Sequence, residues 1–312
     1  MPYPKVTVVG AGQVGATTAW LLATKNMADV VLVDVAEGLP QGKALDMMHA
    51  RSVERFGPVV AGANDYGPSA GSDVVVVTAG LPRRPGMSRD DLLAANAAIV
   101  RSVIPAAVAA SPEAVFICVT NPLDIMVDLA WKVSGLPAQR VFGMGGVLDS
   151  ARFAYAIAEE TGADINEVGA VVVGAHGDAM VPLPRLSAVG GRLLTDVLDR
   201  GTVTAVVERT INGGAEVVSL LKTGSAFYAP AASVVEMATA VLRDERVVLP
   251  SCVRLEGEYG ISGIHMSVPA RLGAGGVVEV VELPLDDTEL SALRASAATI
   301  SEGITSLETA GA

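Results

Sequence analysis

The chain has 312 residues, a formal net charge of −12 and 51% apolar residues. That length suits one large or two modest domains with a sizeable core, and the acid excess argues against nucleic acid or an anionic membrane as partner. The longest apolar runs, such as Val30–Val33 and Val74–Val77, are strand-length and too short to span a bilayer, and a strand entered at Lys5 leaves no room for a signal peptide.

From the N-terminus the pattern predicts strand and helix in alternation. Lys5–Gly10 reads as a strand, Gly12–Thr24 as a helix, Asp29–Asp34 as a strand and Gly38–Arg55 as a helix. Pro58–Asn64 and Asp73–Ala79 follow as strands, Arg89–Ala110 as a long helix, Ala114–Thr120 as a strand, Asp124–Val133 as a helix and Val141–Gly143 as a short strand. Near-continuous Val, Ile and Leu runs imply strands buried on both faces. The fold class expected is α/β, with an N-terminal Rossmann-type doubly wound parallel sheet.

After Gly146 the texture changes. Ser150–Thr161, Thr202–Lys222, Ala231–Leu242 and Asp286–Leu307 read as helices. Glu167–Gly174, Pro182–Val189, Val247–Glu256 and Val277–Leu283 read as strands, the last two separated by Gly-rich turns. This half is expected to be a mixed α+β domain. The division is a nucleotide-binding domain over 1–145 and a substrate domain over 146–312.

Gly10-Ala11-Gly12-Gln13-Val14-Gly15 matches G-x-G-x-x-G between a strand and a helix. Such glycines allow a tight turn and close approach of backbone to a pyrophosphate, which the helix N-terminus then meets with unpaired N–H groups. Asp34 ends the second strand, 19 residues after Gly15. A carboxylate there accepts from ribose hydroxyls and repels a 2′-phosphate, so NAD is favoured over NADP. The motif by itself fits either an enzyme or a nucleotide sensor.

His176, one of three histidines, lies in Gly174-Ala175-His176-Gly177-Asp178. Its imidazole is suited to giving and taking a proton near neutrality. Six motifs in order, G-A-G-Q-V-G (10–15), A-G-L-P-R-R-P-G-M-S-R (79–89), V-T-N-P-L-D (119–124), V-L-D-S-A-R-F (147–153), G-A-H-G-D (174–178) and G-S-A-F-Y-A-P (224–230), resemble the lactate/malate dehydrogenase family. Within it, the chain is most similar to the bacterial NAD-dependent, lactate-dehydrogenase-like malate branch.

The resemblance implies reversible hydride transfer between NAD and malate, with His176 exchanging the substrate proton and Asp149 fixing its tautomer. Helix capping alone would also account for Asp149. Arg152, three residues on and on the same helix face, would grip the C1 carboxylate through two hydrogen bonds. A loop over Leu81–Met87 would close on the substrate and bring Arg89 to the reacting carbonyl. Arg83 would meet a second carboxylate, which points to oxaloacetate over pyruvate, with Arg84 facing solvent. Asn121 would donate to the same region and place the nicotinamide, and Asn96 and Val119 would line the cofactor site with Gly10, Gly12, Gln13, Val14, Gly15 and Asp34. Ser225 is assigned equally to the site and to helix packing.

The family also implies a homodimer or homotetramer, with the helix carrying His49 at a subunit face, and a place in the tricarboxylic acid cycle. His265, in an apolar region, reads as structural. Cys118 and Cys252 read as buried free thiols in a reducing cytoplasm. Neither has ligand spacing with the histidines, so no metal is expected. The alternatives weighed are a lactate or other 2-hydroxy acid dehydrogenase, an NAD-dependent glycosidase sharing the two-domain fold, and a non-catalytic NAD-binding protein.

Overall fold

The computed structural model describes residues 3–82 and 89–310, without the side chains of Arg89 and Ala310. In the N-terminal half, β1 (Lys5–Val9), α1 (Gln13–Thr24), β2 (Asp29–Val33), α2 (Leu39–Glu54), β3 (Val60–Ala63), β4 (Val74–Val77), α3 (Arg89–Ala110), β5 (Val115–Cys118), α4 (Leu123–Ser134) and β6 (Val141–Gly143) alternate as the apolar runs predict. The strands pair in parallel in the order β3-β2-β1-β4-β5-β6. That order reverses at β1/β4, the place where a doubly wound sheet opens a ligand crevice at its strand C-termini.

The C-terminal half begins with α5 (Gly146–Thr161). It continues through β7 (Val168–Gly169), β8 (Val172–Gly174), β9 (Met180–Pro182), β10 (Ala188–Val189), β11 (Arg192–Leu193), α6 (Leu194–Val197), α7 (Arg200–Leu221) and α8 (Tyr228–Leu242). Then come β12 (Val247–Glu256), β13 (Ser262–Gly273), β14 (Gly276–Val280) and α9 (Asp287–Ala310). Among the described residues eleven strands form one sheet that crosses both halves. Gly143 of β6 stands beside Cys118 in parallel and beside Cys252 of β12 in antiparallel register, so β6 is the seam.

Several elements differ from the sequence reading. The segment taken as Gly-rich turns contains β13, twelve residues long. Its Gly263 and Pro269 masked the strand pattern, since proline is rare in central strands. Pro269 stands opposite Pro250 of β12, which gathers the missing N–H donors at one level of the ladder. The single strands expected over Glu167–Gly174 and Pro182–Val189 are each broken into short pieces, with a 3₁₀ turn at Pro184–Leu186. Helix α5 starts at Gly146, four residues earlier than read, because glycine is a poor helix signal.

Helix α3 is long and apolar enough to cross a bilayer by length and composition, with a mean hydropathy of 1.7 over Asp90–Ala110, although no uninterrupted apolar run there is that long. Its Leu93, Ala97, Val100 and Ile104 are buried with Val75, Val77 and Phe116 of the sheet and Met126 of α4. That apolar face is thus covered by the fold.

Candidate active site

The cofactor crevice is shaped by what its glycines exclude. A Cβ on Gly15 would lie 1.9 Å from the Gly10 carbonyl oxygen, so only glycine lets α1 pack against the end of β1. A Cβ on Gly10 would meet Thr78 Oγ1 at 2.7 Å. Gly12 is different: nothing lies within 4 Å of its ideal Cβ, and it is exposed. It precedes Gln13 at the start of α1, where no side chain caps the helix. An open glycine at an uncapped helix N-terminus fits a pyrophosphate.

Asp34 follows β2 at the mouth of the crevice. Its carboxylate accepts from Ala11 N at 2.7 Å and from Ala36 N at 2.9 Å, which fixes it beside the glycine loop. Lys43 Nζ donates to Ala11 O on the other side. The far wall carries half-buried Val119 and exposed Asn121, which is joined to Pro122 by a cis peptide bond. Asn96 is buried behind this wall. It donates to Asn121 O at 2.7 Å and exchanges hydrogen bonds with Leu81 N and O, so it braces the crevice from inside. The groups present therefore fit an NAD dinucleotide.

The G-A-H-G-D segment is the turn between β8 and β9. Gly177 has φ +126°, a backbone state closed to most L-residues, and Met180 N donates to Gly177 O across the turn. The turn is tied down on three sides. Ala175 N donates to Ser296 Oγ of α9, His176 N donates to Asp124 Oδ2 of α4, and His176 Nδ1 lies 2.8 Å from Asp149 Oδ2 of α5.

Asp149 is 1% exposed and sits one turn inside α5, where capping does not explain it. Its second oxygen lies 3.3 Å from Arg152 Nη1. The two carboxylate oxygens thus serve one imidazole and one guanidinium. Burial disfavours the charge on His176, but the Asp149 carboxylate, helped by Asp124, outweighs it and holds the imidazole above its usual pKa.

Arg152 is partly buried, with side-chain exposure of 19%. It runs under α7, where an ideal Cβ on Gly213 would lie 3.4 Å from Arg152 Cδ and one on Gly214 3.6 Å from its Nη2. Two glycines inside a helix cost about 1 kcal/mol each relative to alanine. Here they lie along the Arg152 side chain, at distances where an added Cβ would make ordinary van der Waals contact.

Asp124 was missed by the sequence reading, except as the last letter of V-T-N-P-L-D. The signal was a pair of acidic residues, Asp124 and Asp128, one turn apart in a mostly apolar helix. Asp124 is buried and accepts from Cys252 Sγ at 3.3 Å as well as from His176 N. Burial pushes its carboxyl up to about 6, against the opposing pull of His176 and Cys252. Asp128 faces His265 Nδ1 at 3.1 Å and Lys132 Nζ at 2.8 Å. His265 is wholly buried and held below its usual pKa by burial, despite Asp128, so it belongs to a structural cluster.

Arg83 and Arg84 lie outside the described residues, and so does the side chain of Arg89, whose backbone begins α3. Ser225 is exposed between α7 and α8, and His49 is exposed on α2. Among the described residues, no three His, Cys, Asp or Glu side chains gather as a metal site.

The model of the lactate/malate dehydrogenase NAD-binding domain matches residues 4–143, and that of the family's α/β C-terminal domain matches 146–310. The curated malate dehydrogenase of Roseiflexus sp. (strain RS-1) is 50% identical over 305 residues, covering 98% of this chain and 99% of that protein. The solved malate dehydrogenase of Cryptosporidium parvum superposes with a TM-score of 0.96 at 43% identity, covering 98% of this chain and 99% of the other. A lactate dehydrogenase of the same organism, solved with lactic acid and NAD, superposes equally well, with a TM-score of 0.96 at 42% identity and 99% coverage of both chains. Shape alone therefore leaves the choice of 2-hydroxy acid to the side chains.

Proposed function

The chain belongs to the lactate/malate dehydrogenase family, and from that premise we propose that this NAD-dependent oxidoreductase interconverts (S)-malate and oxaloacetate. The observation that carries the chemistry is the His176–Asp149–Arg152 array, in which one carboxylate orients both the proton acceptor and the arginine that meets the substrate.

In malate oxidation, His176 is neutral and carries its proton on Nδ1, held by Asp149. Nε2 then accepts the C2 hydroxyl proton, and the resulting imidazolium is stabilised by the carboxylate behind it. NAD in the crevice supplies the acceptor for the hydride that leaves C2. In the reverse direction Nε2 returns its proton to the carbonyl oxygen. Arg152 holds the C1 carboxylate in a two-pronged grip, which fixes C2 relative to His176. Gly10, Gly12, Gln13, Val14 and Gly15 receive the pyrophosphate, Asp34 the adenosine ribose, and Val119 and Asn121 the nicotinamide end, with Asn96 bracing Asn121.

Two arginines complete the reading by family resemblance. Arg89 stabilises charge on the carbonyl oxygen, and Arg83 pairs with the second carboxylate. The name shared by the curated relatives supports malate over lactate. We place residues 1–145 and 146–312 as cofactor and substrate domains, and the protein in the cytoplasm as a homodimer or homotetramer serving the tricarboxylic acid cycle. The exposed Leu45 and Val53 of α2 support a subunit face there.

The direct test is malate-dependent NADH formation by the intact chain. Robust turnover that His176→Gln abolishes supports the reading, whereas undiminished turnover in that variant would remove His176 from the chemistry.

A further inference from the structure

We infer that Asp124 is a positioning residue for His176: it anchors the histidine main chain from the cofactor half of the molecule and, ionised, places a second negative charge beside the imidazole that Asp149 already faces. The inference rests on the proposed role of His176 as the proton-exchanging group. It adds a residue that none of the motif roles covers.

The geometry begins with an unusual placement. Asp124 is 5% exposed and lies in the first turn of α4, a helix whose neighbouring positions, Leu123, Met126 and Val127, are buried and apolar. Its Oδ2 accepts from His176 N at 2.9 Å, and its Oδ1 accepts from the Cys252 thiol at 3.3 Å. Among the described residues no lysine or arginine forms an ion pair with it. A buried carboxylate is costly unless paired. Among the described residues, the cationic group that acts on it is the imidazolium form of His176.

The charged surroundings separate Asp124 from its neighbour one turn on. Asp128 faces Lys132 on its own helix, Arg254 of β12 and His265 of β13, and Lys132 continues to Glu308 of α9. That carboxylate is neutralised within its own cluster. Around Asp124 stand His176 from the β8–β9 turn, Asp149 from α5 and the Cys252 thiol from β12. Cys118 of β5 and Asp128 act on Cys252, and Arg152 of α5 opposes the charge on His176. Burial, two carboxylates and one guanidinium thus set the charge on this ring.

The two acids act at different points. Asp149 touches the ring at Nδ1, whereas Asp124 holds the backbone N–H of the same residue. One bridges from α5, the other from α4, which begins two residues after Asn121. The loop that faces the nicotinamide end and the turn that carries the proton acceptor are therefore fastened to each other through Asp124. Burial places its own ionisation at about 6, so it is charged in the range where His176 loses its proton.

Titration of the His176 imidazole by NMR, on the full chain without substrate, tests this independently of turnover. With three histidines in the sequence, His176→Gln identifies the signal. Asp124→Asn retains an oxygen to accept from His176 N and removes the charge. The expected result is a fall of about half a pH unit or more in the His176 midpoint, with a larger fall in Asp149→Asn. An unchanged midpoint in Asp124→Asn beside a lowered one in Asp149→Asn overturns the inference and leaves Asp124 as a clamp.

If Asp124→Asn does not fold, Cys252→Ala serves instead. It removes the thiol donor that helps ionise Asp124, so the acid-side inflection in the His176 signal moves to higher pH. A stationary inflection overturns the inference. Full malate turnover in His176→Gln would sink the proton-transfer reading while leaving the midpoint comparison intact.

Discussion

Asp149 divides its two oxygens between His176 Nδ1, at 2.8 Å, and Arg152 Nη1, at 3.3 Å. One buried carboxylate therefore faces both the imidazole that we propose exchanges the substrate proton and the guanidinium that we propose meets the substrate. Asp149→Asn keeps the shape and loses the charge. We expect turnover to fall by about 100-fold or more in steady-state assays. A fall below tenfold would mean that the imidazolium does not depend on this carboxylate.

The pH dependence follows from the raised pKa of His176. In the proposed mechanism oxaloacetate reduction uses the imidazolium, so it should be retained above the ordinary value near 6.5 and decline as pH rises through the raised value. Malate oxidation uses the neutral ring and rises through the same pKa. For stability the sign is the same as for reduction: the contribution of the pair is complete below the unfolded-state value and is lost as pH rises through the folded-state value. Profiles of kcat/KM in both directions check this. Breaks below 6.5 would contradict it.

Gly12 and Gly15 make a matched pair. A Cβ at Gly15 meets the Gly10 carbonyl, whereas one at Gly12 meets no protein atom within 4 Å. Gly15→Ala should destabilise the fold by about 1–3 kcal/mol or more. Gly12→Ala should leave Tm unchanged without ligand and weaken NAD binding. Thermal melts with and without NAD separate the two.

Arg152→Lys keeps the positive charge and loses the planar fork. Loss of a charge-assisted hydrogen bond costs about 1.5–3 kcal/mol, so kcat/KM for malate should drop about 10- to 100-fold. NAD affinity, measured by calorimetry, should not change.

Much of the parallel half was legible because its strands are buried on both faces and read as continuous runs, Val74–Val77 among them. The substrate half was harder, since Pro269 and Gly263 interrupt the pattern of its longest strand. His176, Asp149 and Arg152 stood out in motifs, but their contacts join residues 27 apart in sequence or lie on one helix. Asp124 was illegible for a different reason, because its meaning depends on what lies across the helix, the His176 backbone.

Arg83→Gln tests substrate choice. The variant should lose oxaloacetate turnover by orders of magnitude and gain on pyruvate, because the second carboxylate would lack its partner. Unchanged oxaloacetate kinetics would assign that carboxylate to another residue.

The proposed function requires that this site select a dicarboxylate. The most direct measurement follows NADH absorbance with purified protein over concentration series of oxaloacetate and of pyruvate. We expect a kcat/KM preference for oxaloacetate of several orders of magnitude. Comparable or greater activity on pyruvate would contradict it and make the protein a lactate-type 2-hydroxy acid dehydrogenase.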